Sequence, residues 1–419
     1  MDDKMLDKRL ELLNKTYKKL PEQTDSFSII QAIKEENNPK KKKRPIFHWP
    51  YVASFIGVLL IASVLTLQFT IGGDNQSGET KETEQQSREQ ALFNGIKEAE
   101  SFYELRTTQA AGRLGFTEKT FNKTVMAQEA KRELIYIKSL PKRDGSLEKR
   151  LEILTNAKDR LAESLRTPDM MMLNFEKNMK EEEVSIWTET FVEKQRSILP
   201  LAEEELLKYK GQWEKHVKDG KLNIYEFGSG DEVYSREMRR LVEGLTSNAI
   251  RLSYSEKEDK IITSFDFEFF HMMIEGKLPE EYSLFINAKL SPVIHAGEIA
   301  TSWKDAARRL MEYDTMLQTF KDSSKFRSEV KIEYDRLYQF FVIGTVSQSI
   351  FDESKILKND VKEAYEYLIT TYPEFETTKS IKEVYAELNA NNFQKPPRWI
   401  QPTPVVLQNE WKEKLSQAD

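Results

Sequence analysis

Residues 40–71 read KKKKRPIFHWPYVASFIGVLLIASVLTLQFTI, and this stretch decides the architecture. Tyr51 to Ile71 are 21 consecutive residues without a charge. As a helix they span about 30 Å, the thickness of a bilayer core. No other stretch of the chain is as apolar. Trp49 and Tyr51 stand where an interfacial aromatic belt would be. Pro50 falls at the first turn, where its missing N–H costs little. Lys40, Lys41, Lys42, Lys43 and Arg44 precede the span, whereas the flank from Gly72 to Gln90 has few basic residues. By the positive-inside rule the N-terminus is cytoplasmic and the larger C-terminal part extracytoplasmic. The Lys run could also suit a nucleic acid, but its place against an apolar span favours the topological role. No direct nucleic-acid partner is expected. A cleaved signal peptide is disfavoured by the long segment ahead of the span and by the lack of a small-x-small site.

Working outward, the composition agrees with one span. Of 419 residues, 39% are hydrophobic and 32% charged, too polar for a multi-spanning transporter. Twenty-three Phe, 16 Tyr and 6 Trp supply a packed core. The absence of cysteine excludes disulfides, thiolate metal sites, a cysteine nucleophile and lipoprotein attachment. The net charge of -6 hides an asymmetry: residues 1–45 carry 12 basic and 8 acidic residues. The rest of the chain is acidic, so the two ends face different surroundings.

Leu6, Leu10, Leu13, Tyr17 and Leu20 recur at helical spacing, and Pro21 ends that helix. Asp25 or Ser26 can cap a second helix, with Phe27, Ile30 and Ile33 on one face. Two helices this short cannot bury such stripes against each other. The stripes need a partner: another protein, the membrane surface or a second copy of the chain. Mixed acids and bases weaken the membrane alternative, and about three heptads make a marginal coiled coil.

The run LPEQTDSFSIIQAIKEENNPKKKKRPIFHWPYVASFIGVLLI resembles the N-terminal end of membrane-anchored anti-sigma factors of Gram-positive bacteria. Their layout is an amphipathic helix, a Leu-Pro step, an Asp, an Ile-rich second helix, a Lys run, an aromatic-Pro step and one span. Here those elements are Leu20-Pro21, Asp25, Ile29 to Ile33, Lys40 to Arg44 and Trp49-Pro50. The resemblance implies a cytoplasmic sigma factor of the extracytoplasmic-function class as partner. It covers roughly the first 70 residues and lacks the His/Cys signature of the zinc-binding subclass.

Beyond the span, residues 72–90 (GGDNQSGETKETEQQSREQ) have no apolar side chain and read as a flexible stalk or a solvated helix start. Residues 91–221 read as a helical region. Leu92, Ile96, Ala99 and Tyr103 form one stripe, and Phe121, Val125 and Leu134 to Ile137 lie in a second helix ended by Pro141. Leu147, Leu151, Leu154, Leu161 and Leu165 lie in a third, with further helices around Pro200. Such lengths suit a helical bundle. Residues 222–300 read as mixed, with LNIYEF and IITSFDFEFF as strand-like runs and GSGD as a turn. Residues 301–419 return to helices up to Tyr372 and end in the Pro-rich KPPRWIQPTPVV. The fold class is therefore mainly α: a cytoplasmic helical segment (1–45), a transmembrane helix (46–71) and a large helical extracytoplasmic domain with a small β element.

Catalytic signatures are missing. His48, His216, His271 and His295 are scattered, with no HExxH spacing and no GxSxG elbow. Glu181 to Glu183 and Glu203 to Glu205 read as solvated helix faces. Met170 to Met172 read as core filling. The expectation is a non-enzyme that needs no cofactor. It is a transmembrane regulator of the anti-sigma type, with an outer domain facing an extracytoplasmic protein or wall partner. The alternative is a helical envelope scaffold for division, secretion or wall synthesis.

Overall fold

The computed structural model describes residues 79–218, 221–222, 235–274 and 276–399. The apolar stripes of residues 6–33, the basic run and the uncharged run lie outside them. Among the described residues no helix is long and apolar enough to cross a membrane.

Helix α1 covers Glu79–Leu114, 36 residues and about 54 Å. No proline interrupts it, and it stops at Gly115, whose φ of +69° suits a residue without a Cβ. The stalk expected over 72–90 is thus helical from Glu79 onward. Its Gln, Glu, Ser and Arg residues sustain a helix without packing, and Gln85, Gln86 and Ser87 are exposed.

Threonine caps then punctuate the chain. Thr117 accepts from the Thr120 amide to open α2 (Glu118–Phe121), and Thr124 accepts from the Ala127 amide to open α3 (Val125–Ser139). Helix α3 ends in a 3-10 turn, Leu140–Lys142, that contains Pro141. Ser146 caps α4 (Leu147–Thr155), and α5 (Ala157–Ser164) follows. The leucines expected on one third helix thus lie on two, parted at Asn156. Next come α6 (Pro168–Leu173), α7 (Glu181–Leu207) and α8 (Lys210–Trp213). Pro200 sits inside α7, where it forgoes one backbone bond without ending the helix. Met171 and Met172 are buried, as core filling requires.

The β content is small and antiparallel. Val217–Lys218 (β1) pairs with Lys221–Leu222 (β2). Ser235 caps α9 (Arg236–Ser247), which leads into β3 (Ile250–Ser255) and β4 (Lys260–Phe265), paired from Ile250↔Phe265 to Ser255↔Lys260. The strand-like run IITSFDFEFF splits at Asp266. Its second half is helix α10 (Phe267–Ile274), because the Asp266 carboxylate accepts from the Phe269 amide and starts a helix. Of the LNIYEF run only Leu222 is described.

Helix α11 (Glu280–Leu290) and the pair β5 (Ile294–His295) and β6 (Glu298–Ile299) precede α12 (Trp303–Thr319), α13 (Lys325–Ile343) and α14 (Asn359–Thr371). A further helix, α15 (Glu376–Ala390), extends past Tyr372, where the sequence reading stopped.

One core joins α1, α3, α5, α7 and α9 to the hairpin, through residues such as Leu114, Phe121, Leu161, Ile198, Trp213, Leu241 and Ile250. Beside it Phe175, Trp187, Phe191, Phe270 and Phe265 touch in succession, stacked between Trp187 and Phe191 and edge-on or tilted elsewhere. In the C-terminal part α12 packs on α13 and α14, and α14 on α15. The described domain is mainly α.

Candidate functional site

The partner-binding residues read from sequence (Leu6, Leu10, Leu13, Tyr17, Leu20, Phe27, Ile30 and Ile33) lie outside the described residues, as do Lys40, Lys41, Lys42, Lys43 and Arg44. Within the domain the chemistry concentrates in a buried polar junction, where the C-terminal ends of α1 and α9 meet α6 and α7.

Asn248 stands at its centre, fully buried. Its Nδ2 donates to the Gly244 carbonyl at 2.8 Å and to the Arg113 carbonyl at 3.4 Å, capping α9 and touching α1. Its Oδ1 accepts from the Asp169 amide at the start of α6, at 2.9 Å. Its own carbonyl accepts from Gln195 Nε2 of α7 at 2.5 Å. One side chain and its backbone therefore bind four helices. Asn248 is followed by Ala249, a buried residue with φ of +56°, in a region where an L-residue with a Cβ is strained.

Asp169 extends the junction. Its carboxylate accepts from the Thr167 hydroxyl and pairs with Arg113 at 2.8 Å. The Arg113 side chain is part-exposed, so this pair links the interior to the surface.

Lys194 of α7 completes it. The side chain is buried, and Nζ donates to the Glu163 carbonyl at 2.8 Å and the Arg166 carbonyl at 2.9 Å. These carbonyls belong to the end of α5 and the link to α6, where the helix dipole favours a cation. Burial still dominates and lowers the Lys194 pKa to about 8, against the opposing pull of Glu163 and Glu129. Two buried oxygens on the same helix, Thr188 Oγ1 and Gln195 Oε1, have no hydrogen-bond partner. The junction is a polar knot with one titratable cation and two unmet buried oxygens, able to hold three helix ends against the middle of α7 in a single register.

The second acidic run, expected on a solvated face, is engaged by neighbouring elements. Glu205 is not on a solvated face. It is buried, accepts from the Thr120 hydroxyl and pairs with Lys208. Glu203 binds Lys260 and the Thr263 amide, and Glu204 pairs with Lys123. Glu181 to Glu183 are exposed as expected, with Glu183 accepting from the Lys180 amide that opens α7.

An open cleft of about 760 Å³ lies between the start of α14 and the end of α15, lined by Asp352, Lys358, Asp360, Lys362, Glu363 and Phe393. Its polar groups are largely engaged with one another: Lys362 lies 4.1 Å over the Phe393 ring, and Asn359 donates to Glu363 at 2.6 Å. His271 and His295 are exposed on separate elements. Among the described residues no group of three His, Cys, Asp or Glu is placed to hold a metal.

Sequence reasoning missed the junction. Its partners lie far apart along the chain, from Arg113 to Asn248, and single Asn, Gln or Lys residues in helices carry no periodic signal. Comparison of the whole chain with protein-family models, curated proteins and solved structures gives no match.

Proposed function

We propose that this chain is a single-pass transmembrane regulator of the anti-sigma type. Its cytoplasmic segment holds a sigma factor, and its extracytoplasmic helical domain responds to an envelope condition. The observation that carries the reading is the pair of apolar stripes ahead of a basic run and 21 uncharged residues. Supporting it, α1 begins shortly after that uncharged run in sequence and continues without interruption to the buried junction at Arg113. A rearrangement of α6, α7 or α9 is then felt at the C-terminal end of the helix that follows the uncharged run in the chain.

The test is the full chain carrying Leu10→Asp and Leu13→Asp. Burying a leucine stabilises a contact by about 1.5–3 kcal/mol, so the pair weakens capture of the sigma factor about a hundredfold or more. One regulon is then transcribed constitutively while the chain stays in the membrane. An unchanged transcriptome in this variant and in a deletion of residues 1–38 overturns the reading.

A further inference from the structure

The exposed face of α3 and the turn after it form a stripe of cations around an apolar centre. Lys131, Arg132, Ile135 and Lys142 follow at helical spacing, and Arg143 and Lys149 flank the tip. Ile135 is 59% exposed, among the most exposed large apolar residues described. Lys131, Lys142 and Lys149 are exposed, and none of the five cations forms an ion pair among the described residues. Arg132 uses Nε on the Gln128 carbonyl, and Arg143 lies 4.3 Å over the Tyr136 ring with Nε on Ser139, so both keep their charge displayed. Asp144 and Glu152 are the exposed acids nearby, and Glu148 is occupied by Arg88.

The charge of the stripe and the length of chain ahead of it say what it suits. Lys138, on the same face, pairs with Glu100 of α1, and Glu148 pairs with Arg88 at 3.0 Å. The segment is therefore tied to α1 at Arg88 and, past the helix midpoint, at Glu100. The seven residues between Ile71 and Glu79 reach about 25 Å at most when extended. The helix from Glu79 to Arg88 adds about 14 Å. The chain between Ile71 and Arg88 is thus about 40 Å long at most.

We infer that the α3 stripe is a docking surface for anionic lipid headgroups, with Ile135 entering the interface and Lys131, Arg132, Lys142, Arg143 and Lys149 over the phosphates. The chemistry is that of an interfacial helix: cations beside an apolar residue, at a short tether from the membrane. The inference rests on the membrane-anchored reading above. It adds that the outer domain has a lipid-bound and a free state, selected by the charge of the outer leaflet.

The chain has no cysteine, so Ile135→Cys in the full chain accepts a single spin label. The labelled chain is reconstituted into nanodiscs of neutral lipid or of neutral lipid with an anionic phospholipid. Accessibility to a water-soluble relaxation agent is compared with that of a label at the exposed Ile332→Cys on α13. In anionic discs the label at 135 becomes less accessible, each cation contributing about fivefold to the docked population. The label at 332 does not change. Combining Lys131→Gln, Arg132→Gln, Lys142→Gln and Arg143→Gln removes the effect, and half-molar salt on the otherwise unmodified chain removes it independently of any folding defect. Equal accessibility in both discs overturns the docking surface while incorporation leaves the anchor standing. Failure to incorporate overturns both. Shielding produced by a soluble polyanion but not by anionic discs overturns the lipid assignment.

Discussion

Gly115 and Gly244 bring two backbones together: a Cβ built on Gly244 would stand 2.4 Å from the Leu114 carbonyl carbon, and one on Gly115 would stand 2.4 Å from the Arg240 carbonyl oxygen. Helix α9 thus crosses the end of α1 at a distance only glycine permits. Asn248 lies one turn beyond Gly244 and binds its carbonyl. The close crossing is what puts the Asn248 amide within reach of the Arg113 carbonyl.

Gly244→Ala should therefore separate α1 from α9. Overpacking of this kind costs about 1–3 kcal/mol, read as a lower midpoint in urea. The Gly211→Ala control has nothing within 4 Å of the new methyl. It should be neutral or stabilise by up to about 1 kcal/mol, the ordinary helix preference for alanine. Equal effects of the two substitutions would show that the crossing is not tight.

Asn248→Ala tests the junction itself. It leaves the buried Asp169 amide without its acceptor and takes the side-chain donor from the Arg113 carbonyl, while the Gly244 carbonyl keeps the Asn248 backbone N–H. Each buried group left unmet costs about 1–3 kcal/mol. The expected loss exceeds that of Gly244→Ala, and amide exchange at the end of α1 should quicken before exchange in α12. A loss below about 1 kcal/mol would mean that water replaces the side chain.

Much of the helical layout was legible because its signals are local. Gly115, Pro141 and the Leu92–Ile96–Ala99–Tyr103 spacing mark α1 and the end of α3 in sequence as in structure. What was not legible depended on competition between local preferences. FEFF is aromatic and reads as strand, yet one carboxylate, Asp266, turns it into helix. Pro200 reads as a break, yet Ile198 and Ala202 are buried on either side and hold α7 together. Glu205 reads as solvated because neighbouring glutamates look alike, and only the fold shows which one meets Thr120. The junction is the extreme case, since every bond in it to Asn248 from α1, α6 or α7 joins residues more than fifty apart.

Stability should rise with pH across the window set by Lys194. Its folded pKa, about 8, lies below the ordinary lysine value of 10.5. Between these values the unfolded chain binds more protons than the folded one, so raising the pH favours folding. The full contribution over the window is about 3 kcal/mol. It is best read between pH 8 and 10. Above that, Tyr313 and Tyr385, both raised to about 12, lose their protons more readily unfolded and pull stability down again. Lys194→Met should flatten the slope between pH 8 and 10, measured by urea unfolding at constant ionic strength. The same slope in the variant would place the proton elsewhere.

The last prediction concerns transmission along α1. Gln86 is exposed, well inside the helix, and ahead of Leu92, the first buried residue of the described chain. Gln86→Pro should break the helix there, at a cost of about 3 kcal/mol to the helix but with no contact of the core removed. The melting temperature of the helical domain should hardly move. If α1 is a rigid lever between the buried junction and the membrane, Asn248→Ala alone shifts transcription of the regulated genes. In the double variant with Gln86→Pro that shift disappears, because the end of α1 no longer carries its displacement past residue 86. A reporter assay in cells reads both, with membrane levels of each variant checked by immunoblot. A shift of equal size in the single and double variants would show that α1 is a tether and that any signal leaves the domain by another route.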